Sequence, residues 1–207
     1  QLTIFNKLIY GNYLQEYKKN ISNKEIKDEK AWQIFFERNQ WIFGYGLDYR
    51  FQGILQREFA ASRTEADGSC TVFSDFLLGD KKFTTFVEIK KPDTKIFGTE
   101  KNRSNCWRLS NDLIDSVSQI LEQKASGQLK LESGDQHDKN GNKITQKPYD
   151  SKTILIIGCW DELSECSDKE KQIKEKTFEL FRRDSRNIDI ITYDELYERA
   201  RYIAFCE

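Results

Sequence analysis

Two strand-like segments joined by a short polar connection constrain the middle of this chain more than any other feature. Segments 72–78 and 83–92 are rich in apolar, aromatic and β-branched residues, and the connection 79–82 reads Gly-Asp-Lys-Lys. This pattern is typical of a β-hairpin. A charge within a mostly apolar strand costs free energy unless it is paired, exposed or bound to a metal. Three charged residues nevertheless lie inside these strands: Asp75, Glu88 and Lys90.

The length of the connection decides which faces of the hairpin these charges occupy. Successive strand side chains point to opposite faces, so Glu88 and Lys90 share one face of the second strand. A connection with an even number of residues pairs Asp75 with Thr84 or Phe86 and places its carboxylate on that same face. A connection with an odd number turns Asp75 to the opposite face. An even-length connection is therefore required for the three charges to meet.

Two carboxylates and a lysine in this spacing predict a metal-assisted reaction at a phosphate. Neighbouring carboxylates repel each other, and a cation between them resolves that repulsion. A small set of hard oxygen ligands suits Mg²⁺, with Mn²⁺ as an alternative. A lysine two residues after the second carboxylate can orient or deprotonate a water molecule, or stabilise phosphate charge. The alternative is a half-exposed hairpin whose surface charges pair across it, because this spacing is short and common.

Composition limits the compartment and the partners. The chain has 207 residues, which suits one sizeable domain with a small appendage. It carries 33 basic and 34 acidic residues, so any contact with nucleic acid must depend on local positive charge. No apolar run is long enough to span a membrane, and we expect no membrane association. The odd number of cysteines without a CxxC pair favours a reducing, cytoplasmic location: Cys70, Cys106, Cys159, Cys166 and Cys206.

Helical spacing of apolar residues over 1–24 predicts a helical segment with a break near Gly11 and Asn12. The chain begins at Gln1 and contains no methionine, so we expect this segment to be the end of a longer upstream region. The sequence from Ser22 to Glu25 fits a capping box, which predicts a helix from there to Phe43. We therefore divide the chain into an N-terminal segment, 1–24, and a main domain, 25–207.

The remainder of the chain alternates between predicted strands and helices. A helix capped by Ser110 runs to about Lys124 and carries Gln119 close to its apolar face. A second capping box at Ser167 opens a helix that ends near Arg183. Together these elements predict an α/β (α+β) fold with a mixed central sheet flanked by helices. The other expected elements are a strand over 47–60, a loop over 94–106, a loop over 125–152, buried strands over 153–158 and 188–191, and a last helix from 192.

The order of elements resembles the core of the PD-(D/E)xK nuclease superfamily, in which the charged motif lies on the second and third strands. The matching residues are Ser74-Asp75 and Glu88-Ile89-Lys90, with Ser74 in place of the usual proline. More narrowly, the chain resembles the C-terminal nuclease domain of the Shedu family of bacterial anti-phage nucleases. The stretches that carry this resemblance are 29–36, 39–44, 74–78, 87–92, 107–110 with Gln119, 156–158 and 190–196.

The resemblance implies roles for particular residues. Asp75 and Glu88 would bind Mg²⁺, with help from the backbone carbonyl of Ile89, while Lys90 would position the attacking water. Gln119 would support the site from its helix. Related exonucleases carry a tyrosine four residues after this glutamine, and the glutamine found there in this chain, at position 123, departs from that pattern.

The family also implies a function: an Mg²⁺-dependent endodeoxyribonuclease that nicks or cleaves phage or plasmid double-stranded DNA as a homo-oligomer. Local positive charge after the motif would contact the DNA backbone, and the candidates are Lys91, Arg103 and Arg108, with Lys95 and Lys101 nearby. The alternative is a nuclease-like module that binds DNA or regulates without turnover, although the intact Asp75, Glu88 and Lys90 argue against a decayed enzyme. A structural oligomerisation domain is a third hypothesis.

Overall fold

The computed structural model describes residues 1–22, 25–43, 53–61, 73–102 and 106–205. Short 3-10 helices cover Gln40–Ile42 and Trp160–Leu163. The α-helices are α1 (Leu2–Tyr10), α2 (Leu14–Ile21), α3 (Asp28–Arg38), α4 (Asn111–Glu132), α5 (Asp168–Asp184) and α6 (Tyr193–Phe205). The strands are β1 (Gly53–Ala60), β2 (Phe73–Gly79), β3 (Phe83–Ile89), β4 (Phe97–Lys101), β5 (Trp107–Leu109), β6 (Lys147–Ile156) and β7 (Ile188–Ile191).

Five strands form a mixed sheet in the order β1-β2-β3-β6-β7. The first three strands pair antiparallel, and β3, β6 and β7 pair parallel. Helix α4 provides the crossover between β3 and β6, as a parallel connection requires. The remaining strands, β4 and β5, form a separate antiparallel hairpin. The predicted mixed sheet flanked by helices is therefore confirmed.

Helices cover both faces of the sheet, and alternation along β3 separates the two cores. Val87 packs with α1, α2, α3 and α6 on one face. The neighbouring Phe86 packs with Phe59 and Leu131 on the other face, beneath α4. A third cluster continues that second face under α4 and α5, around Leu155 and Phe178. Both faces of the central strands are buried, which agrees with the near-continuous apolar sequence of these strands.

The N-terminal segment forms two helices, and the predicted break falls between them. Phe5 of α1 is fully buried. Its ring contacts those of Trp32 and Phe36 on α3 and that of Tyr197 on α6. Segment 1–22 therefore packs into the same core as the main domain. Its assignment as the end of a longer upstream region stays a prediction.

Several predicted boundaries were wrong. Helix α3 begins at Asp28 with no side-chain cap, rather than at the expected capping box, whose two central residues, 23 and 24, lie outside the described ranges. Helix α4 extends beyond Lys124 to Glu132. Gly127 lies inside this helix because no larger residue fits there: a Cβ atom at this position would lie 2.5 Å from the ring of Phe86. Strand β6 begins six residues before the expected position 153, at Lys147.

The predicted loop over 94–106 contains β4 and leads into β5, so this expectation was also wrong. Tertiary contacts stabilise the hairpin: the indole of Trp107 donates to the carbonyl of Gly98 at 2.6 Å, and its backbone N–H donates to Thr177 on α5 at 3.0 Å. Thr177 lies 70 residues from Trp107, and local periodicity does not reveal this contact.

Other local predictions are confirmed. Ser110 accepts a hydrogen bond from the backbone N–H of Leu113, and Ser167 accepts one from that of Glu170. The predicted strand over 47–60 is described from Gly53 onward, and its earlier residues lie outside the described ranges. Among the described residues, no helix is both long and apolar enough to cross a membrane. The cysteines within those ranges, Cys106, Cys159 and Cys166, are free thiols.

Candidate active site

The ladder between β2 and β3 ends just before the charged residues. Leu77 lies opposite Phe86 and Gly79 lies opposite Thr84, so four residues, 80–83, connect the pair that closes the hairpin. The expected pairing of Asp75 with Thr84 or Phe86 was therefore wrong, because both positions have other partners. The even-numbered connection itself is confirmed. Continuing this register places Asp75 level with Glu88, where the two strands have already stopped pairing.

Where the ladder between β2 and β3 ends, hydrogen bonds that involve side chains hold Asp75 and Ser74 in place. Its Oδ2 atom accepts a hydrogen bond from the backbone N–H of Ile89 at 2.7 Å. Its Oδ1 atom accepts a hydrogen bond from the side-chain amide of Gln33 on α3. The adjacent Ser74 hydroxyl donates to the carbonyl of Val87 at 3.0 Å. The carboxylate is thus fixed at the point where β2 and β3 separate, and both amides contribute neutral donors.

Glu88 is the more buried carboxylate, with 4% of its surface exposed. Its Oε1 atom lies 2.8 Å from Nζ of Lys90, and its Oε2 atom accepts a hydrogen bond from Nε2 of Gln123 on α4 at 2.8 Å. The same Nε2 atom donates to the carbonyl of Phe73 at 2.5 Å. Gln123 is itself fully buried. Helix α4 therefore holds Glu88 and the first residue of β2 together.

Lys90 completes the cluster. Its Nζ atom also donates to Oε1 of Gln119 at 2.8 Å, so two of its three N–H donors are engaged. Its backbone is held on both sides, by the carbonyl of Ile156 at 2.8 Å and by the hydroxyl of Tyr193 at 2.6 Å. The structure thus brings together the predicted residues Asp75, Glu88, Lys90 and Gln119.

The electrostatics of the cluster favour an additional positive charge. Burial, and then the nearby charge of Glu88, raise the pKa of Asp75 from 3.8 to about 7. Hydrogen bonds from Ile89 and Gln33 and the charge of Lys90 act in the opposite direction without reversing the shift. Burial is the larger cause of the raised pKa, and the charge of Glu88 adds to it. A divalent cation beside the two carboxylates would favour their ionised forms.

The donor set fits a hard metal ion with several open coordination positions. Within the described ranges, no group of three or more His, Cys, Asp or Glu side chains converges on one point. Two carboxylates are nevertheless the protein ligand set that Mg²⁺ commonly accepts when water and substrate phosphate fill its other positions. The residues present, Asp75 and Glu88, fit such an ion.

The basic residues expected to contact DNA lie at different distances from this cluster. Lys91 lines a cleft of about 440 Å³ together with Lys90, Lys95 and Gln119. Acidic residues of α4 and of the turn after β3 also line it: Asp93, Asp112 and Asp115. Arg108 is exposed on β5, where its guanidinium lies 3.7 Å from Glu100. Arg103 lies outside the described residues.

Sequence reasoning missed two amides that bind the carboxylates, Gln33 and Gln123. Gln33 lies on α3, on the side of the sheet opposite to α4. The available signal for Gln123 was its spacing, since it lies one helical turn after Gln119 on the face that packs inward.

Fold and site together define a mixed α/β domain with a nuclease-like arrangement, in which a lysine and two carboxylates meet at the separating ends of two strands. The sequence profile of the family described as "Shedu protein SduA, C-terminal" matches residues 26–197. The chain therefore belongs to the Shedu family. It is 26% identical over 176 residues to the Shedu protein SduA of Bacillus cereus (strain B4264), which covers 84% of this chain. The chain spans about 44% of that relative's length.

Proposed function

We propose that this chain is the nuclease domain of a metal-dependent DNA endonuclease that nicks or cleaves DNA in bacterial defence against phage. The observation that supports the proposal most is the hydrogen-bonded cluster of Asp75, Glu88, Lys90 and Gln119 at the point where β2 and β3 separate. Two carboxylates beside one lysine suit metal-assisted attack on a phosphodiester. Membership in the Shedu family supports the biological setting.

Asp75 and Glu88 would hold Mg²⁺, or Mn²⁺ in its place. When bound, the ion supplies Lewis-acid polarisation of the phosphate and lowers the pKa of a bound water molecule. Gln33 and the N–H of Ile89 orient Asp75, while Gln123 orients Glu88. Each carboxylate oxygen keeps further lone pairs for the ion, because one hydrogen bond does not exhaust a carboxylate oxygen.

Lys90 would position the attacking water. Gln119 and Glu88 fix its ammonium from two sides, and the remaining N–H donor is available for a water molecule or a phosphate oxygen. The Tyr193 hydroxyl holds the Lys90 carbonyl, so the backbone from which the lysine projects is also fixed. A fixed donor next to the reacting phosphate stabilises charge without reorganisation during the reaction.

Double-stranded phage or plasmid DNA is the expected substrate, bound along local positive charge. Lys91 and Lys95 line the cleft beside Lys90, and Arg108 is exposed on the hairpin that follows it. Because the net charge is −1, such local neutralisation of phosphates would carry the binding. Assembly into a homo-oligomer and a cytoplasmic location complete the proposal.

Incubation of the purified chain with supercoiled plasmid and Mg²⁺ tests the proposal. We expect relaxed or linear products, no products with EDTA, and a loss on the order of 10²- to 10⁴-fold in the Lys90→Ala variant. The exposed Lys169, on α5, provides the matched control, since Lys169→Ala should cut as the wild type does. DNA binding without cutting by any preparation, including one extended to the full-length protein, would favour the non-catalytic module instead.

A further inference from the structure

An exposed aromatic ring lies beside the carboxylate cluster, at the first residue of β2. Phe73 leaves 51% of its surface in contact with solvent. It shares a strand with Asp75 and is two residues away, roughly 7 Å along the strand on the same face. Burying a phenylalanine is favourable, so a ring exposed next to a candidate active site suggests a ligand that covers it.

A hydrogen bond ties the backbone of Phe73 to the carboxylate cluster. The carbonyl of Phe73 and the Oε2 atom of Glu88 accept hydrogen bonds from the same nitrogen, Nε2 of Gln123. Gln123 is fully buried on α4. The backbone from which the Phe73 ring projects is therefore held close to Glu88.

We propose that Phe73 is a stacking platform for a DNA base next to the phosphate that is cut, and that the preferred substrate carries unpaired nucleotides there. This inference rests on the proposed nuclease function and specifies its substrate. An aromatic face binds any base by stacking, largely without sequence preference. Bases inside a duplex already stack on their neighbours, so the ring reaches a base face only where the strand is open.

The chemistry of the site agrees with such a substrate. The phosphate to be cut would lie beside Asp75, Glu88 and Lys90. Phe73 is roughly 7 Å from Asp75 along the strand, so a base next to that phosphate could reach the ring. Unstacking a base costs least where that base is unpaired. A bubble, a frayed end or a single strand would therefore bind better than a fully paired duplex of the same sequence.

Binding of two DNA probes tests the inference. One probe is a fully paired duplex, and the other has the same sequence with a central stretch of mismatches. Binding is measured with Mg²⁺ in the Lys90→Ala background, which prevents cutting. We expect the mismatched probe to bind more tightly, and Phe73→Leu to reduce that preference by about tenfold, because stacking contributes roughly 1–3 kcal/mol per base. The Phe73→Tyr variant, which keeps an aromatic face, should retain it.

A matched control is available on α6. Phe205 is 60% exposed and lies twelve residues after Tyr193 at the start of that helix, which is roughly 18 Å away along the axis. Phe205→Leu should bind both probes as the parent protein does. Equal weakening of both probes by Phe73→Leu would indicate a structural role and overturn the inference, as would unchanged binding of both.

A second measurement does not depend on the variant folding. A probe with 5-iododeoxyuridine in the unpaired stretch is irradiated in complex with the wild-type side chain at position 73, and the cross-linked peptide is mapped by mass spectrometry. A cross-link at Phe73 supports stacking, and a cross-link only elsewhere overturns it. If plasmid is cut but the mismatched probe binds no more tightly than the paired duplex, only the inference about Phe73 fails. If no DNA is bound or cut, the proposed function fails with it.

Discussion

Two charge clusters in this protein contain similar groups and have opposite electrostatic outcomes. In the candidate site, Lys90 contacts Glu88 but not Asp75, whose pKa rises to about 7. In the second cluster, the guanidinium of Arg182 on α5 contacts both Glu179 and Glu195, and reaches both oxygens of the latter at 2.7 Å. The planar guanidinium of Arg182 hydrogen-bonds two carboxylates, whereas the ammonium of Lys90 hydrogen-bonds one, that of Glu88.

The pKa values of the second cluster follow from that geometry. Burial is the largest single influence and acts to raise the pKa of Glu195 and of Glu179. The hydrogen bonds and charge of Arg182, together with bonds from Thr192 and Trp160 to Glu195 and from Arg183 to Glu179, nevertheless lower both pKa values. The guanidinium also lies over the rings of Trp160 and Phe178. This cluster is satisfied without any ligand, and it stabilises the packing of α5 on α6. The candidate site is under-compensated, which is the condition that a bound cation relieves.

The largest expected effect is a difference in plasmid cleavage between variants of the two clusters. Glu88→Gln removes the charge of a proposed metal ligand at almost constant shape, and we expect plasmid cleavage to fall on the order of 10³-fold. The same substitution in the other cluster, Glu195→Gln, should leave cleavage within about twofold of wild type once folding is confirmed. Initial rates at saturating Mg²⁺ measure both variants. Comparable losses in the two would mean that the clusters are not functionally distinct.

Stability should fall in both clusters when the cation is removed. Arg182→Met removes the cation that Glu179 and Glu195 share, although Glu179 keeps Arg183 and Glu195 keeps the N–H of Thr192, and we expect the free energy of unfolding to fall by about 2 kcal/mol. Lys90→Met leaves the buried carboxylate of Glu88 without its ion-pair partner, and the expected loss is about 3 kcal/mol. Urea denaturation of the metal-free proteins provides the comparison. A negligible loss for Lys90→Met would contradict this account.

Orientation of the metal ligand by α4 gives a smaller effect. Gln123→Leu removes the donor to Glu88, and we expect Mg²⁺ affinity to weaken by about tenfold, since groups that orient metal ligands typically contribute at least that much. Stability should also fall, by about 1–3 kcal/mol, because Glu88 and the carbonyl of Phe73 both lose a buried donor. Calorimetric titration with Mg²⁺ measures the affinity. The control is Gln128→Leu, one turn further along α4, whose amide donates to Pro148 and not to Glu88.

A pH dependence of stability is expected from Asp75. The folded state holds a proton on Asp75 more tightly than the unfolded chain does, since the pKa rises from 3.8 to about 7. The stabilisation from this group is therefore fully present below about pH 4 and is lost as the pH rises through 7. Asp75→Asn should become more stable relative to wild type by about 2–3 kcal/mol between pH 5 and 8. Urea denaturation at both values without metal measures this, and Mg²⁺ should cancel the difference.

Much of the fold was predictable because its signals are local. The caps at Ser110 and Ser167, the break after α1 and the apolar run of β6 depend on neighbours within a few residues. The β4 and β5 hairpin was missed because Trp107 is held by Thr177 on α5, 70 residues away, which local patterns do not connect. The start of α3 was misplaced because burial of Trp32 and Phe36, rather than a cap, stabilises that helix.

The sequence by itself indicated which chemistry to propose for the site, because two carboxylates and a lysine inside apolar strands need to be paired, exposed or bound to a metal. Alternation along β3 also determined that Glu88 and Lys90 share a face. Only the tertiary structure decided how the carboxylates are held. Gln33 reaches Asp75 from α3, and Gln123 reaches Glu88 from α4, across chain separations of 42 and 35 residues. Such contacts depend on how helices pack against the sheet, and no periodicity within one element encodes that packing.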